Sequence, residues 1–137
     1  MKDYAVSIVG VLTLCLVSIL LAVYSGYSKG RAGVLSGPVL PADDENLLFR
    51  IDRVHVNSVE ALAAFAVPAV LAMIVGVGPG TLGVLVWVYV ALRLIHLIIY
   101  LRGGAAAKGG SARTVLYVSG ALVTIALIAI TGWSATQ

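Results

Sequence analysis

A run of polar and charged residues, RIDRVHVNSVE, occupies positions 50–60 and continues without a break into an apolar stretch. If the run forms a helix, spacings of three, four and three place four of its members on one face: Arg50, Arg53, Asn57 and Glu60. An ionised group carried toward a bilayer core is costly unless it has a partner or water, so such residues usually mark a site. This face is therefore predicted to be the working surface of the protein.

The apolar segment 81–101 carries a second polar stripe at helical spacing: Tyr89, Arg93, His96 and Tyr100. Arg93 is predicted to lie at a depth close to that of Glu60, so an ion pair between the two is the simplest way to keep both charges in a membrane. Such a pair could also serve only to fasten two helices together. His96 is expected to make an interhelical hydrogen bond, and no metal is expected, because no second His or Cys stands beside it at ligand spacing.

A third polar group stands at the start of the last apolar segment, where Arg113 and Tyr117 share a helix face and Thr114 follows Arg113. Arg and Tyr also commonly anchor helix ends at the membrane interface, so this group alone is weak evidence. Three helices that turn such groups toward the same leaflet favour one joint site.

The composition determines which elements must position these residues. Of 137 residues, 61% are hydrophobic and 11% are charged, and the mean hydropathy is +1.06. A soluble globule of this size needs more polar surface, so the chain is predicted to be an integral membrane protein. The net charge of +3 comes from basic residues in membrane-flanking loops, so no nucleic-acid partner is expected. The single cysteine, Cys15, cannot form an internal disulfide.

Four apolar segments predict an all-α, four-helix membrane bundle that forms one domain over residues 1–137. The predicted helices are 4–24, 53–77, 81–101 and 113–133, and the second could start as early as Arg50. The first is expected to be a retained helix because no convincing cleavage site follows it. Long loops are predicted at 25–48 and 103–112 and a tight turn at 76–80. Pro68 should bend the second helix and free the carbonyl of Ala64.

The distribution of Lys and Arg predicts the orientation. Seven basic residues belong to the two long loops and their margins, whereas the opposite side has only Lys2. The positive-inside rule then places both long loops and the polar residues on the cytoplasmic side, with both termini outside, most simply in a bacterial inner membrane.

Three of these patterns together resemble the MAPEG superfamily, the membrane-associated proteins in eicosanoid and glutathione metabolism. The run R-x-x-R-x-H-x-N-x-x-E at 50–60 resembles its second-helix motif, R-x-x-H-x-x-x-Y at 93–100 is similar to its prostaglandin E synthase branch, and R-[ST]-x-x-Y at 113–117 fits its fourth helix. Lys29 and Arg31 resemble a basic pair that follows the first helix. Phe49 stands where many members have Glu, and Val56 stands where a prostaglandin synthase-like member has Arg. These departures leave the substrate open.

The resemblance implies a homotrimer that binds glutathione between subunits near the cytoplasmic end. Carried over by position, Arg53 and Arg113 would take carboxylates, Glu60 the ammonium group and Asn57 the peptide. Arg31 or Arg113 would stabilise the thiolate, since a nearby cation lowers a thiol pKa. The implied site is completed by residues of the third and fourth helices: Arg93, His96, Tyr100, Thr114 and Tyr117.

The function that the resemblance implies is a glutathione transferase or peroxidase acting on hydrophobic electrophiles or lipids that partition into the bilayer. A non-catalytic member of the family that binds lipid or acts as a scaffold is the alternative. A small multidrug transporter also fits four helices and a membrane glutamate, but alternating access is difficult to reconcile with charges crowded at one end.

Overall fold

The computed structural model of the chain describes residues 2–34, 43–103 and 111–137. Within these ranges all regular structure is helical: a 3-10 turn at Lys2–Tyr4 precedes α1 (Ala5–Arg31), α2 (Leu47–Ile74), α3 (Pro79–Arg102) and α4 (Ser111–Ser134). All four helices are long and apolar enough to cross a membrane, which takes about 20 residues for 30 Å of hydrocarbon. The prediction of an all-α membrane protein with four helices is confirmed.

The helices alternate in direction. At one end, the Tyr4 hydroxyl donates to the carbonyl oxygen of Val77 at 2.8 Å and ties the start of the chain to the turn between α2 and α3. At the other end, Nε of Arg50 donates to the carbonyl oxygen of Leu101 at 3.3 Å. This second end consists of the last turns of α1 and α3 and the first turns of α2 and α4, and we call it the charged end.

Close packing of small and aromatic residues holds the bundle together. The rings of Phe65 on α2 and Tyr89 on α3 are stacked, with centroids 3.7 Å apart and planes within 1°. Gly10 of α1 packs so closely on α3 that an added Cβ would clash with Cγ1 of Val86. Small residues at helix contacts are typical of membrane packing, where the backbones approach closely.

α1 is longer than predicted. The sequence placed its end near Tyr24 and a loop from Ser25, but the helix continues through Arg31. In the added turns the Ser25 hydroxyl donates to Oδ1 of Asp52 on α2 at 3.3 Å, and Lys29 forms an ion pair with the same carboxylate. This contact between helices outweighs the low helix propensity of the Gly and Ser residues in the segment.

α2 begins at Leu47, several residues before the predicted position 53, because Asn46 caps it. The Asn46 side chain accepts a hydrogen bond from the backbone N–H of Leu48 at 2.9 Å, as Asn does at helix N-caps. Pro68 lies within α2 as expected, and Gly76, with a φ of 81°, turns the chain toward α3. The parts of the predicted long loops at 35–42 and 104–110 lie outside the described residues.

Candidate functional site

A cavity of about 520 Å³ opens at the charged end between α2, α3 and α4. Its volume is within the usual range for small-molecule sites. The lining combines three predicted site residues of α4 and two of α3 with three residues at the start of α2 and just before it: Arg113, Thr114, Tyr117, His96, Tyr100, Phe49, Asp43 and Asp44. We call it the first cavity.

Arg113 is a cation of the first cavity, and its described neighbours include Asp44 and Tyr100. Nη2 donates to Oδ2 of Asp44 at 2.8 Å, and Cζ lies 4.8 Å from the centroid of the Tyr100 ring. The Arg113 side chain is 15% exposed and that of Asp44 is 49% exposed. The guanidinium is therefore largely covered, whereas the carboxylate that pairs with it remains half open to solvent.

The Arg113 pair also affects the ionisation of Asp44, which lies outside the membrane-spanning segments. The hydrogen bond from Arg113 lowers the pKa of the Asp44 carboxyl below its ordinary value of 3.8, against a smaller opposing effect of burial. A carboxyl with a lowered pKa stays charged until the pH falls through that lower value. The Asp44 carboxyl is accordingly charged throughout the physiological pH range.

Arg50 positions the turn that carries Asp44. The sequence predicted Arg50 to lie on the working surface, but the structure gives it a role in the fold. Nη1 of Arg50 donates to the carbonyl oxygens of Asp44 and Glu45, both at 2.8 Å, and Nε donates to Leu101. The Arg50 side chain is buried and packs against Gly103. A Cβ at position 103 would lie 2.7 Å from Cζ of Arg50, so a residue without a side chain is needed there. The guanidinium is thus committed to backbone carbonyls rather than to a ligand.

A second cavity, of about 250 Å³, lies deeper along the bundle between α2, α3 and α4. Five residues of the predicted polar groups line it: Asn57, Glu60, Tyr89, Arg93 and Tyr117. The other lining residues are Ala61, Ala64, Gly120, Ala121, Thr124 and Ile125. Tyr117 lines both cavities. The α4 residues of the second cavity follow those of the first by about seven positions, which at 1.5 Å per residue places it about 10 Å deeper.

The predicted ion pair between Glu60 and Arg93 is wrong for the described residues of a single chain. Nη2 of Arg93 instead donates to the backbone carbonyl oxygen of Asn57 at 2.6 Å. A carbonyl one turn before Glu60 is reached more directly than the Glu60 carboxylate, which is exposed. Both charges still line the second cavity, as their similar predicted depth implied.

Aromatic and hydroxyl groups complete the first cavity. His96 is buried, and its ring centroid lies 5.7 Å from that of Tyr100. Thr114 and Tyr117 are exposed within a single chain. The structure thus brings together all the predicted residues of α3 and α4, in two cavities that meet at Tyr117.

Two predicted basic residues lie apart from these cavities. Arg31 is exposed at the end of α1, where Nη1 donates to the Tyr27 hydroxyl at 3.4 Å and the guanidinium lies 5.9 Å from the Tyr27 ring centroid. Arg53 is half-buried on α2, and it is not among the described residues that line the first or second cavity. A single chain therefore does not place Arg31 beside Arg113.

The sequence interpretation missed two acidic residues at the charged end. Asp44 belongs to the acidic run DDEN, which marks the approach to a helix N-terminus, but nothing in the spacing shows that it folds onto α4. Asp52 lies between Arg50 and Arg53 but off the predicted face, so the spacing does not indicate it. Its partner Lys29 lies in a segment that local composition predicts to be a loop.

The family model described as the MAPEG family matches residues 5–133. The chain belongs to the MAPEG family. The match covers all four helices and all three of the polar motifs on which the resemblance rested, at 50–60, 93–100 and 113–117. No curated protein matches the chain. The MAPEG family includes glutathione transferases and related proteins.

Proposed function

We propose that this MAPEG protein joins the thiolate of glutathione to hydrophobic electrophiles dissolved in the bilayer. The observation that carries the proposal is the placement of Arg113 in the first cavity, with Tyr100 against its guanidinium and Tyr117 at the boundary with the second cavity. A polar cavity at the membrane surface, adjoining a deeper and more apolar one, suits a water-soluble ligand that must meet an apolar one.

The second cavity offers polar groups of the kinds that glutathione needs, since glutathione carries two carboxylates, an ammonium group and a thiol. Glu60 is assigned to the ammonium, because among the described residues its carboxylate has no ion-pair partner. Asn57 and Arg93 lie beside it and supply an amide and a guanidinium. Such charge-assisted hydrogen bonds are the stronger kind and favour a ligand of defined shape.

In the proposed reaction, the glutathione sulfur loses its proton to water and attacks the electrophilic carbon. A carbon–sulfur bond forms while the bond to the leaving group breaks, and the leaving group, such as halide, departs with the electron pair. The Arg113 guanidinium stabilises the thiolate, because a neighbouring cation lowers a thiol pKa and raises the thiolate fraction at neutral pH. Hydroxyls of Tyr117 and Thr114 donate further hydrogen bonds.

The assembly and orientation belong to the same proposal. We expect a homotrimer in which the exposed Arg31 and Tyr117 face neighbouring copies, with the charged end on the cytoplasmic side. Native mass spectrometry in detergent would measure the oligomer. A reporter cysteine at the exposed Ala32 should react with an impermeant reagent only after the membrane is opened. Labelling of this cysteine from outside intact cells would contradict the proposed orientation.

The test of the thiolate role is a pH–rate profile with glutathione and a chromogenic aryl halide. Arg113→Leu should lower turnover by more than it weakens glutathione binding, and it should shift the pH–rate profile toward higher pH. The shift is expected because the thiol pKa would return toward that of a free cysteine, about 8.5. Tyr117→Phe should be milder, since it removes one neutral hydrogen bond worth about 0.5–1.5 kcal/mol.

Arg102→Leu is the matched control, since Arg102 is an exposed arginine at the charged end and is not among the described residues lining either cavity. Its profile should coincide with that of the wild type. An unshifted profile with normal turnover in Arg113→Leu would exclude Arg113 and direct attention to Arg31. If isothermal titration of glutathione gave no binding heat with the wild type or with any variant, a lipid-binding or scaffold role would be favoured.

A further inference from the structure

The turn at residues 43–46 brings two carboxylates, those of Asp43 and Asp44, to the wall of the first cavity. Its conformation is fixed on both sides. Arg50 holds the carbonyl oxygens of Asp44 and Glu45, and Oδ1 of Asp43 accepts a hydrogen bond from the backbone N–H of Glu45 at 2.9 Å. The backbone at Asp44 is therefore held beside the cavity by the fold.

The first cavity has an unexpected charge balance for an anion site. Its described lining residues carry two carboxylates, Asp43 and Asp44, against the single guanidinium of Arg113. The Asp44 carboxylate takes the Nη2 donor of that guanidinium, and Tyr100 covers a face of it. A carboxylate or thiolate entering the cavity would meet a cation whose charge is already matched.

The two partners of this ion pair differ in their exposure. The Arg113 side chain is 15% exposed and therefore stays in place, whereas the Asp44 side chain is 49% exposed and lies at the solvent side of the pair. Rotation of the Asp44 side chain toward solvent would break its bond to Nη2 of Arg113 without any movement of the backbone that Arg50 holds. Both the closed and the open arrangement are thus compatible with the same fold.

We infer that Asp44 is an internal competitor that sets the anion affinity of the first cavity, and that an anionic ligand binds Arg113 by displacing the Asp44 carboxylate. The inference rests on the proposed function in naming glutathione as that ligand. It concerns affinity and selectivity rather than the chemical step. A ligand with a single weak anionic group is disfavoured, whereas one that gains further contacts in the second cavity offsets the loss of the ion pair.

The test compares wild type, Asp44→Asn and Asp43→Asn by isothermal titration of glutathione in one detergent. Asp44→Asn keeps the shape but removes the competing charge, so the dissociation constant should fall by about two- to fivefold, the range that an exposed ion pair is worth. Asp43→Asn removes an equal charge from the same wall but has no bond to Arg113, so its effect should be smaller. At high salt the difference between the variants should shrink.

A second probe separates this inference from the proposed function. Sulfate is an anion without a thiol, and it should raise the thermal stability of Asp44→Asn more than that of wild type. If glutathione binds the wild type but Asp44→Asn binds it no more tightly, the inference about Asp44 is overturned and the proposed function stands. If no variant binds glutathione while sulfate still favours Asp44→Asn, the proposed function falls and the competitor role remains. An equal sulfate response in all three proteins would overturn the competitor role.

Discussion

Two arginines three residues apart on α2 have different environments. Arg50 is buried at 9% exposure and donates three hydrogen bonds to backbone carbonyls, whereas Arg53 is half-buried without such contacts among the described residues. Helical spacing placed both on one face, but spacing cannot show that one guanidinium turns back to the carbonyls of the preceding turn. At the residue scale, the sequence therefore predicts which positions share a helix face, but it does not predict which groups their side chains contact.

The contacts of Arg50 predict a loss of stability when it is replaced. Arg50→Leu should lower the free energy of unfolding by about 2–4 kcal/mol, because three carbonyl acceptors lose a buried charged donor. Thermal unfolding in one detergent would measure it. Gly103→Ala should be destabilising as well, since its φ of 61° and the contact with Arg50 both exclude a Cβ.

Arg53→Leu is the control for that prediction, because it removes the same charge from the same helix. Its unfolding temperature should stay close to that of wild type. If Arg50→Leu and Arg53→Leu unfolded at the same temperature, the carbonyl contacts of Arg50 would contribute nothing measurable.

At the scale of elements, the last turns of α1 are held against α2 by the ion pair between Lys29 and Asp52. Both side chains are nearly buried, at 12% and 10% exposure, and Ser25 donates a hydrogen bond to the same carboxylate. Local composition predicted a loop here, since Gly and Ser weaken a helix. A contact between residues 23 positions apart in sequence extends α1, and such a contact cannot be derived from local propensity.

The Lys29–Asp52 pair gives a prediction at this scale. Lys29→Met should cost about 3 kcal/mol because it leaves a buried carboxylate unpaired, whereas the double variant Lys29→Met, Asp52→Leu should lose much less. Chemical unfolding of the two single variants and the double variant would give the coupling energy. Arg31→Met is the matched control on the same turn; Arg31 is exposed, so its loss should stay within about 0.5 kcal/mol. Additive losses from the single variants would show that Lys29 and Asp52 are not coupled.

For the whole molecule, hydropathy and motif spacing predicted four membrane-length helices and the MAPEG family, and both are confirmed. Hydropathy succeeds because the cost of burying polar backbone in hydrocarbon leaves few alternatives to apolar helices. The predicted residues of α3 and α4 come together because the helices alternate in direction, which brings the end of α3 and the start of α4 to the charged end. The acidic wall of the first cavity was not predictable, because Asp44 reaches Arg113 across 69 positions of chain.

Tyr117 lies at the boundary of two cavities at different depths. In the proposed reaction, the concentrations of the two reactants must therefore be expressed in different units. Glutathione reaches the first cavity from water, where its concentration is a molarity. A hydrophobic electrophile would reach the apolar part of the second cavity from the bilayer or micelle, where the relevant quantity is its mole fraction among the lipid or detergent molecules. Additional detergent therefore dilutes one reactant and not the other, and the rate falls as if a competitive inhibitor of the electrophile alone had been added.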